Sequence, residues 1–149
     1  MSGYGIPILP PLAALTLFAV WALVLVLSVG GWRAALVISG KSKITGFPGG
    51  TQHGDDAYWR LNRAHANAVE NLPIFGSLIL AGTLLQIQDT AFQILPSLVL
   101  YARVVQSFIH VTSGSALAIN LRFAAYAVQV ASMLALAYCV LRATGVPLP

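Results

Sequence analysis

The chain has 149 residues, of which 58% are hydrophobic and only 8% are charged. Soluble domains carry about a quarter charged residues, so this composition excludes an ordinary soluble domain, and the length favours a single domain. The net charge of +4 comes from basic residues that are dispersed along the chain, so we expect no nucleic-acid partner.

Apolar runs predict one all-α domain with four membrane-spanning helices. A spanning helix needs about 20 apolar residues, and the runs meet this over residues of about 9–38, 56–85, 92–111 and 121–141. Gly40 marks the end of the first helix. Asp55 or Asp56 can cap the second helix, and Asp89 or Thr90 the third. The sequence therefore predicts an integral, multi-pass membrane protein.

The connections between these helices predict an up-down four-helix bundle. QIQDTA and SGSALAINL are short, and short connections favour antiparallel neighbours. The first connection, GKSKITGFPGGTQHGDD, is rich in glycine and polar residues and is typical of a loop outside the hydrocarbon. Most basic residues fall at the end of the bundle that holds the first and third loops: Arg33, Lys41, Lys43, Arg60, Arg63 and Arg122. The positive-inside rule places that end in the cytoplasm.

The stretch RLNRAHANAVENLP at the start of the second helix is unusually polar. At about 100° per residue, one arc of about 100° holds five of its side chains: Arg60, Arg63, Asn67, Glu70 and Asn71. His65 points away from that arc. Charges facing lipid cost several kcal/mol, so we expect the stripe to face other helices, a partner subunit or a polar cavity, with Glu70 as a buried acceptor.

Two other helices carry polar stripes toward the same membrane surface. The third helix offers Arg103, Gln106, Ser107 and His110, and the fourth offers Arg122, Tyr126 and Gln129. The first helix contributes only Arg33. One convergent site is the economical interpretation, although an ion-pair network that fixes helix packing, or a topology-setting role for Arg122, are simpler alternatives.

The chemistry of these side chains favours an anionic or zwitterionic ligand that brings its own reactive group. Arginine offers planar donors for carboxylates, and Glu70 suits an ammonium group. The three histidines lack metal-ligand spacing, so we expect no metal. Neither Ser107 nor Cys139 stands in a nucleophile motif.

RLNRAHANAVENLP resembles the signature of the MAPEG superfamily (membrane-associated proteins in eicosanoid and glutathione metabolism). The pattern R-x-x-R-A-[HQ]-x-N-x-x-E, followed by proline, is matched by Arg60, Arg63, Ala64, His65, Asn67, Glu70 and Pro73. YARVVQSFIH carries a weaker match on the third helix. HGDDAYW resembles the bacterial branch, which implies a bacterial inner membrane.

The resemblance implies a homotrimer that binds glutathione between subunits near the cytoplasmic surface. Glu70 would hold the tripeptide's amino group, and arginines its carboxylates. The implied glutathione-binding residues are Arg33, Arg60, Arg63, Asn67, Glu70, Arg103, Gln106 and His110. Arg122 would be the catalytic residue that stabilises the glutathione thiolate. His110 and Asn71 replace aromatic residues of some members, which argues against leukotriene or prostaglandin chemistry.

The implied function is a glutathione-dependent membrane transferase or peroxidase that acts on hydrophobic electrophiles or lipid hydroperoxides. An alternative is a noncatalytic scaffold that binds lipid or glutathione, which does not need the thiolate-stabilising arginine. A more remote alternative is a small proton-coupled exporter that uses Glu70. Nearby arginines oppose the reversible protonation that such an exporter needs.

Overall fold

The computed structural model describes residues 7–146 as an all-α fold, which confirms the predicted fold class. Its helices are α1 (Pro11–Ile38), α2 (Asp56–Leu84), α3 (Thr90–Thr112) and α4 (Ala116–Ala143). Within the described residues, α1, α3 and α4 are long and apolar enough to cross a membrane. α2 falls short because its first half carries the polar stripe, so the fourth span stays a prediction.

Side chains and one glycine define the helix ends. Asp55 accepts a 2.7 Å bond from the backbone N–H of Tyr58, and Asp89 accepts one of 2.8 Å from Ala91. Both expected caps are confirmed. Gly40 ends α1 with a φ of 70°, a conformation that glycine adopts without the steric cost of a side chain.

α4 begins earlier than predicted. Its first residue is Ala116 rather than Leu121, and Ser115 caps it by accepting a bond from the Ala118 N–H at 3.2 Å. The expected turn SGSALAINL is therefore mostly helical, because a serine cap followed by Ala and Leu starts a helix before the hydrocarbon begins. As a result, Arg122 lies well inside α4 instead of at its terminus.

Contacts along the helices establish the up-down arrangement. Near one end, Arg33 of α1 bonds Tyr58 of α2, and Phe18 meets Phe75 farther along, with ring centroids 5.3 Å apart. α1 and α2 are therefore antiparallel. α1 runs parallel to α3, since the pairs Leu9–Ser97 and Trp21–Ser107 advance together along both helices.

α2 and α3 form the middle of the bundle. Each packs against the other three helices, whereas α1 and α4 do not pack against each other within residues 7–146. α2 and α3 approach closely at Gly82, where an added methyl group would lie 2.2 Å from two ring carbons of Phe92. Among the described residues, polar side chains of α2, α3 and α4 meet on one side of the bundle.

Candidate functional site

A cleft of about 310 Å³ opens between α2, α3 and α4. Side chains spaced by helical turns line it from all three helices. They are Asn67, Glu70 and Asn71 of α2, Arg103, Gln106 and His110 of α3, and Ile119, Arg122, Phe123 and Tyr126 of α4. The structure thus brings together six of the predicted site residues: Asn67, Glu70, Arg103, Gln106, His110 and Arg122.

Arg103 is the buried cation of this cleft. Its side chain is 1% exposed, and its guanidinium carbon lies 5.8 Å from the centre of the Phe18 ring. Nη1 donates to Oε1 of Gln106 at 2.7 Å. Nε and Nη2 are buried and have no acceptor among the described residues. Buried donors of a charged group are costly to leave unpaired, so these two atoms favour an acceptor supplied by a ligand or water.

Two buried glutamines join Arg103 to α4. Gln106 Oε1 also accepts from Gln129 Nε2 at 3.0 Å, and Gln106 Nε2 donates to the backbone oxygen of Arg122 at 3.2 Å. Gln129 is fully buried, and its Nε2 donates a second bond to the oxygen of Ala125 at 3.1 Å. The network therefore ties the position of Arg103 to the backbone that carries Arg122.

The electrostatic balance of the cleft is positive. Arg122, Arg63, Arg60 and Arg103 all lie close enough to act electrostatically on His110. Glu70 is the one carboxylate among the described residues that line the cleft. Within residues 7–146 no group of three or more His, Cys, Asp or Glu side chains can hold a metal ion. Two lining arginines, Arg103 and Arg122, with one carboxylate suit a ligand that is mainly anionic and carries one cationic group.

Glu70 differs from the sequence expectation. We expected a buried acceptor, but the side chain is exposed on the open side of the cleft. Glu70 still lines the cleft, together with Arg103 of α3 and Arg122 of α4. Glu70 is therefore accessible to a ligand in the single chain.

The remaining predicted site residues lie outside the cleft wall. Arg33 donates to the Tyr58 hydroxyl at 2.6 Å and stacks 5.4 Å from the Phe47 ring of the first loop. Arg60 donates from Nε to the Val111 oxygen at 3.3 Å, and Arg63 is exposed. Within one chain, Arg33 therefore anchors the first loop, and Arg60 binds the end of α3. Arg63 faces outward. Their predicted contacts with glutathione stay predictions.

The sequence interpretation did not assign Ile119 or Phe123 to the site. Ile119 and Phe123 line the cleft beside Arg122, and Phe123 is 70% exposed. Helical spacing was an available signal for Ile119, which lies three residues before Arg122, and for Phe123, which lies four residues after Ile119. Ile119 was left out because α4 was expected to begin after it. Apolar and aromatic side chains beside a cationic site suit a ligand with a hydrophobic part.

Comparison with protein families identifies a match over nearly the whole chain. The sequence model of the MAPEG family covers residues 11–142, from the first residue of α1 to the last turn of α4, and includes every residue that lines the cleft. No curated protein matches the chain.

Proposed function

The chain belongs to the MAPEG family, and on that premise we propose that it is an integral membrane enzyme that binds glutathione in the cleft. It would act as a transferase or peroxidase on hydrophobic electrophiles or lipid hydroperoxides. The observation that carries the proposal is Arg103, which lines the cleft, is 1% exposed and holds two buried donor atoms that have no acceptor among the described residues.

The charges of glutathione match those of the cleft. A carboxylate of the tripeptide would take the Nε and Nη2 donors of Arg103 in a forked pair, the strongest geometry for this interaction. The ammonium group would bind the carboxylate of Glu70. Asn67 and His110 line the same cleft and supply polar contacts for the peptide groups.

Arg122 would stabilise the reactive sulfur. A free thiol has a pKa of about 8.5, and a neighbouring guanidinium favours the thiolate, which is the nucleophile. Ile119 and Phe123 beside Arg122 would receive the apolar co-substrate. In the transferase reaction the thiolate sulfur forms a bond to an electrophilic carbon, and the leaving group departs with the bonding electron pair.

The peroxidase reaction uses the same thiolate. The sulfur attacks the outer oxygen of a lipid hydroperoxide, the O–O bond breaks, and the alkoxide takes a proton to leave as the alcohol. A second glutathione then displaces water from the sulfenic acid and gives the disulfide. Two glutathione molecules are thereby oxidised for each hydroperoxide that is reduced.

A homotrimer in a bacterial inner membrane is part of the proposal. The open side of the cleft exposes Glu70 and Phe123, and a neighbouring subunit would cover it. In that assembly Arg33, Arg60 and Arg63 would gain access to a ligand held between subunits. By the positive-inside rule, the basic residues at the cleft end favour a cytoplasmic position for that end, where glutathione would be available.

Turnover with a chromogenic aryl halide tests this function. The detergent-purified protein should conjugate the aryl halide to glutathione at a rate that saturates with glutathione concentration. The rate for Arg122→Ala should be at least about 100-fold lower, as expected when a transition-state contact is removed. Arg142→Ala, at the opposite end of α4, is the matched control and should retain activity. A folded protein that binds glutathione without turnover would instead be the noncatalytic scaffold.

A further inference from the structure

The amide orientations of Gln106 and Gln129 are determined by their partners. Arg103 has only donors, so the atom of Gln106 that meets it must be the oxygen. The backbone oxygen of Arg122 can only accept, so the other end of the same amide must be its NH₂ group. Because Gln106 Oε1 can only accept, the atom of Gln129 that meets it must be the donor Nε2. The second bond of Nε2, to the Ala125 oxygen, agrees with this assignment.

The second donor on Gln106 Oε1 limits how Arg103 can bond. Gln106 Oε1 accepts from Arg103 Nη1 and from Gln129 Nε2, which occupies both of its lone pairs. The oxygen therefore cannot take another donor of the same guanidinium. Nε and Nη2 of Arg103 stay without acceptors among the described residues, and these are the donors that the proposed ligand needs.

We infer that Gln129 is a positioning residue for the glutathione site, an inference that rests on the proposed function. Gln129 does not line the cleft. It acts through Gln106, which it holds with the oxygen toward Arg103 and the NH₂ group toward the backbone of Arg122. One buried side chain thus sets the carboxylate-binding arginine and the thiolate-stabilising arginine relative to each other.

Because these groups are buried, each hydrogen bond of the network matters for the orientation of the three side chains. Gln129 is 0% exposed, Arg103 1% and Gln106 6%, so a lost partner is costly to replace in this setting. A hydrogen bond in such a setting contributes about 1 kcal/mol, and the network constrains three side chains at once. Loss of the Gln129 donor should therefore weaken glutathione binding about 5- to 10-fold without removing any contact to the ligand.

The test replaces Gln129 with residues that keep its size or its amide. Gln129→Met keeps the length and removes both polar atoms. Gln129→Asn keeps an amide, but its side chain is too short to make the 3.0 Å bond to Gln106. This variant is used in place of Gln129→Met if Gln129→Met does not fold. Ser132→Ala is the matched control, since Ser132 is also buried on α4 but bonds only the Val128 oxygen of its own helix.

Two measurements are made on each folded variant in detergent. Calorimetric titration with glutathione should show affinity about 5- to 10-fold weaker for Gln129→Met and unchanged for Ser132→Ala. Nitrogen-15 spectra of arginine-labelled protein should show a protected Nε–H signal of Arg103, assigned by its loss in Arg103→Lys. That protection should fall in Gln129→Met and persist in Ser132→Ala.

The two readouts separate the inference from the proposed function. If the wild type does not bind glutathione, the proposed function fails, and the Arg103 signal alone decides whether Gln129 positions that arginine. An Arg103 signal that is the same in wild type and Gln129→Met would overturn the inference. Equal glutathione affinity in the two proteins would overturn it as well.

Discussion

Arg103 and Gln106 lie one turn apart on α3 and are joined by a 2.7 Å bond from Nη1 to Oε1. This bond accounts for one nitrogen of the guanidinium, and Nε and Nη2 are buried without an acceptor among the described residues. A buried arginine that is only partly satisfied by its own chain is the feature most indicative of an anionic ligand.

Glu70 should recognise the amino group of glutathione. Glu70→Gln removes the charge that would bind the ammonium, so affinity for glutathione should fall at least about tenfold, as expected for a charged hydrogen bond. N-acetylglutathione lacks the ammonium, so its weaker affinity should be the same in both proteins. Calorimetric titration of both proteins with the two ligands measures the interaction between Glu70 and the ammonium group.

Asp89→Asn is the control for Glu70→Gln, because Asp89 caps α3 at the opposite end of the bundle. It should leave both affinities unchanged. If Glu70→Gln weakens glutathione and N-acetylglutathione by the same factor, Glu70 does not contact the amino group.

Gly82 should be required for the close packing of α2 on α3. In Gly82→Ala the added methyl group would lie 2.2 Å from ring carbons of Phe92, which is itself buried. Such overpacking costs about 1–3 kcal/mol of unfolding free energy. Denaturant unfolding in detergent, followed by circular dichroism, should show this loss.

Gly76→Ala on the same helix is the comparison for Gly82→Ala. Its methyl group would meet only Leu15, at 3.7 Å, an ordinary contact. Alanine also favours a helix by up to about 1 kcal/mol over glycine, so this variant should be as stable as the wild type or slightly more stable. Equal unfolding midpoints for the two alanine variants would contradict the close approach.

The first loop should depend on the contact between Arg33 and Tyr58. Tyr58→Phe removes the hydroxyl that accepts from Arg33 at 2.6 Å, and Arg33 in turn holds the Phe47 ring of the loop. The loop carries Lys41 and Lys43, so limited trypsin digestion should cut it faster in this variant. A hydrogen bond to a charged group contributes about 1.5–3 kcal/mol, which predicts at least a tenfold change in local opening.

Tyr138→Phe serves as the control for loop docking, since Tyr138 is exposed on α4 near the opposite end. It should leave the cleavage rate at Lys41 and Lys43 unchanged. Wild-type cleavage rates in Tyr58→Phe would show that this hydrogen bond does not anchor the loop.

Much of the fold could be predicted because its signals are local or composition-based. Apolar runs and the caps Asp55 and Asp89 are read directly from the chain. The start of α4 could not be placed correctly, because hydropathy indicates where the hydrocarbon begins rather than where the backbone becomes helical. Ser115 was the missed signal, and it lies outside the apolar run.

The site was predictable at the level of residue type and helix face. Helical spacing placed Asn67, Arg103 and Arg122 together, and the cleft contains all three. The partners of Arg33 and the exposure of Glu70 depend on how the helices pack around α2, which periodicity does not encode. The bond between Gln129 and Gln106 is a contact between helices and was likewise beyond the sequence.

Glutathione titration of wild-type protein and Arg103→Met by calorimetry tests the central claim most directly, with helicity and assembly checked for both. The wild type should bind saturably, and Arg103→Met should bind at least about tenfold more weakly, because the carboxylate loses a charged, buried donor pair. Equal affinity in the two folded proteins, or no binding by the wild type, would contradict the assignment of this cleft to glutathione.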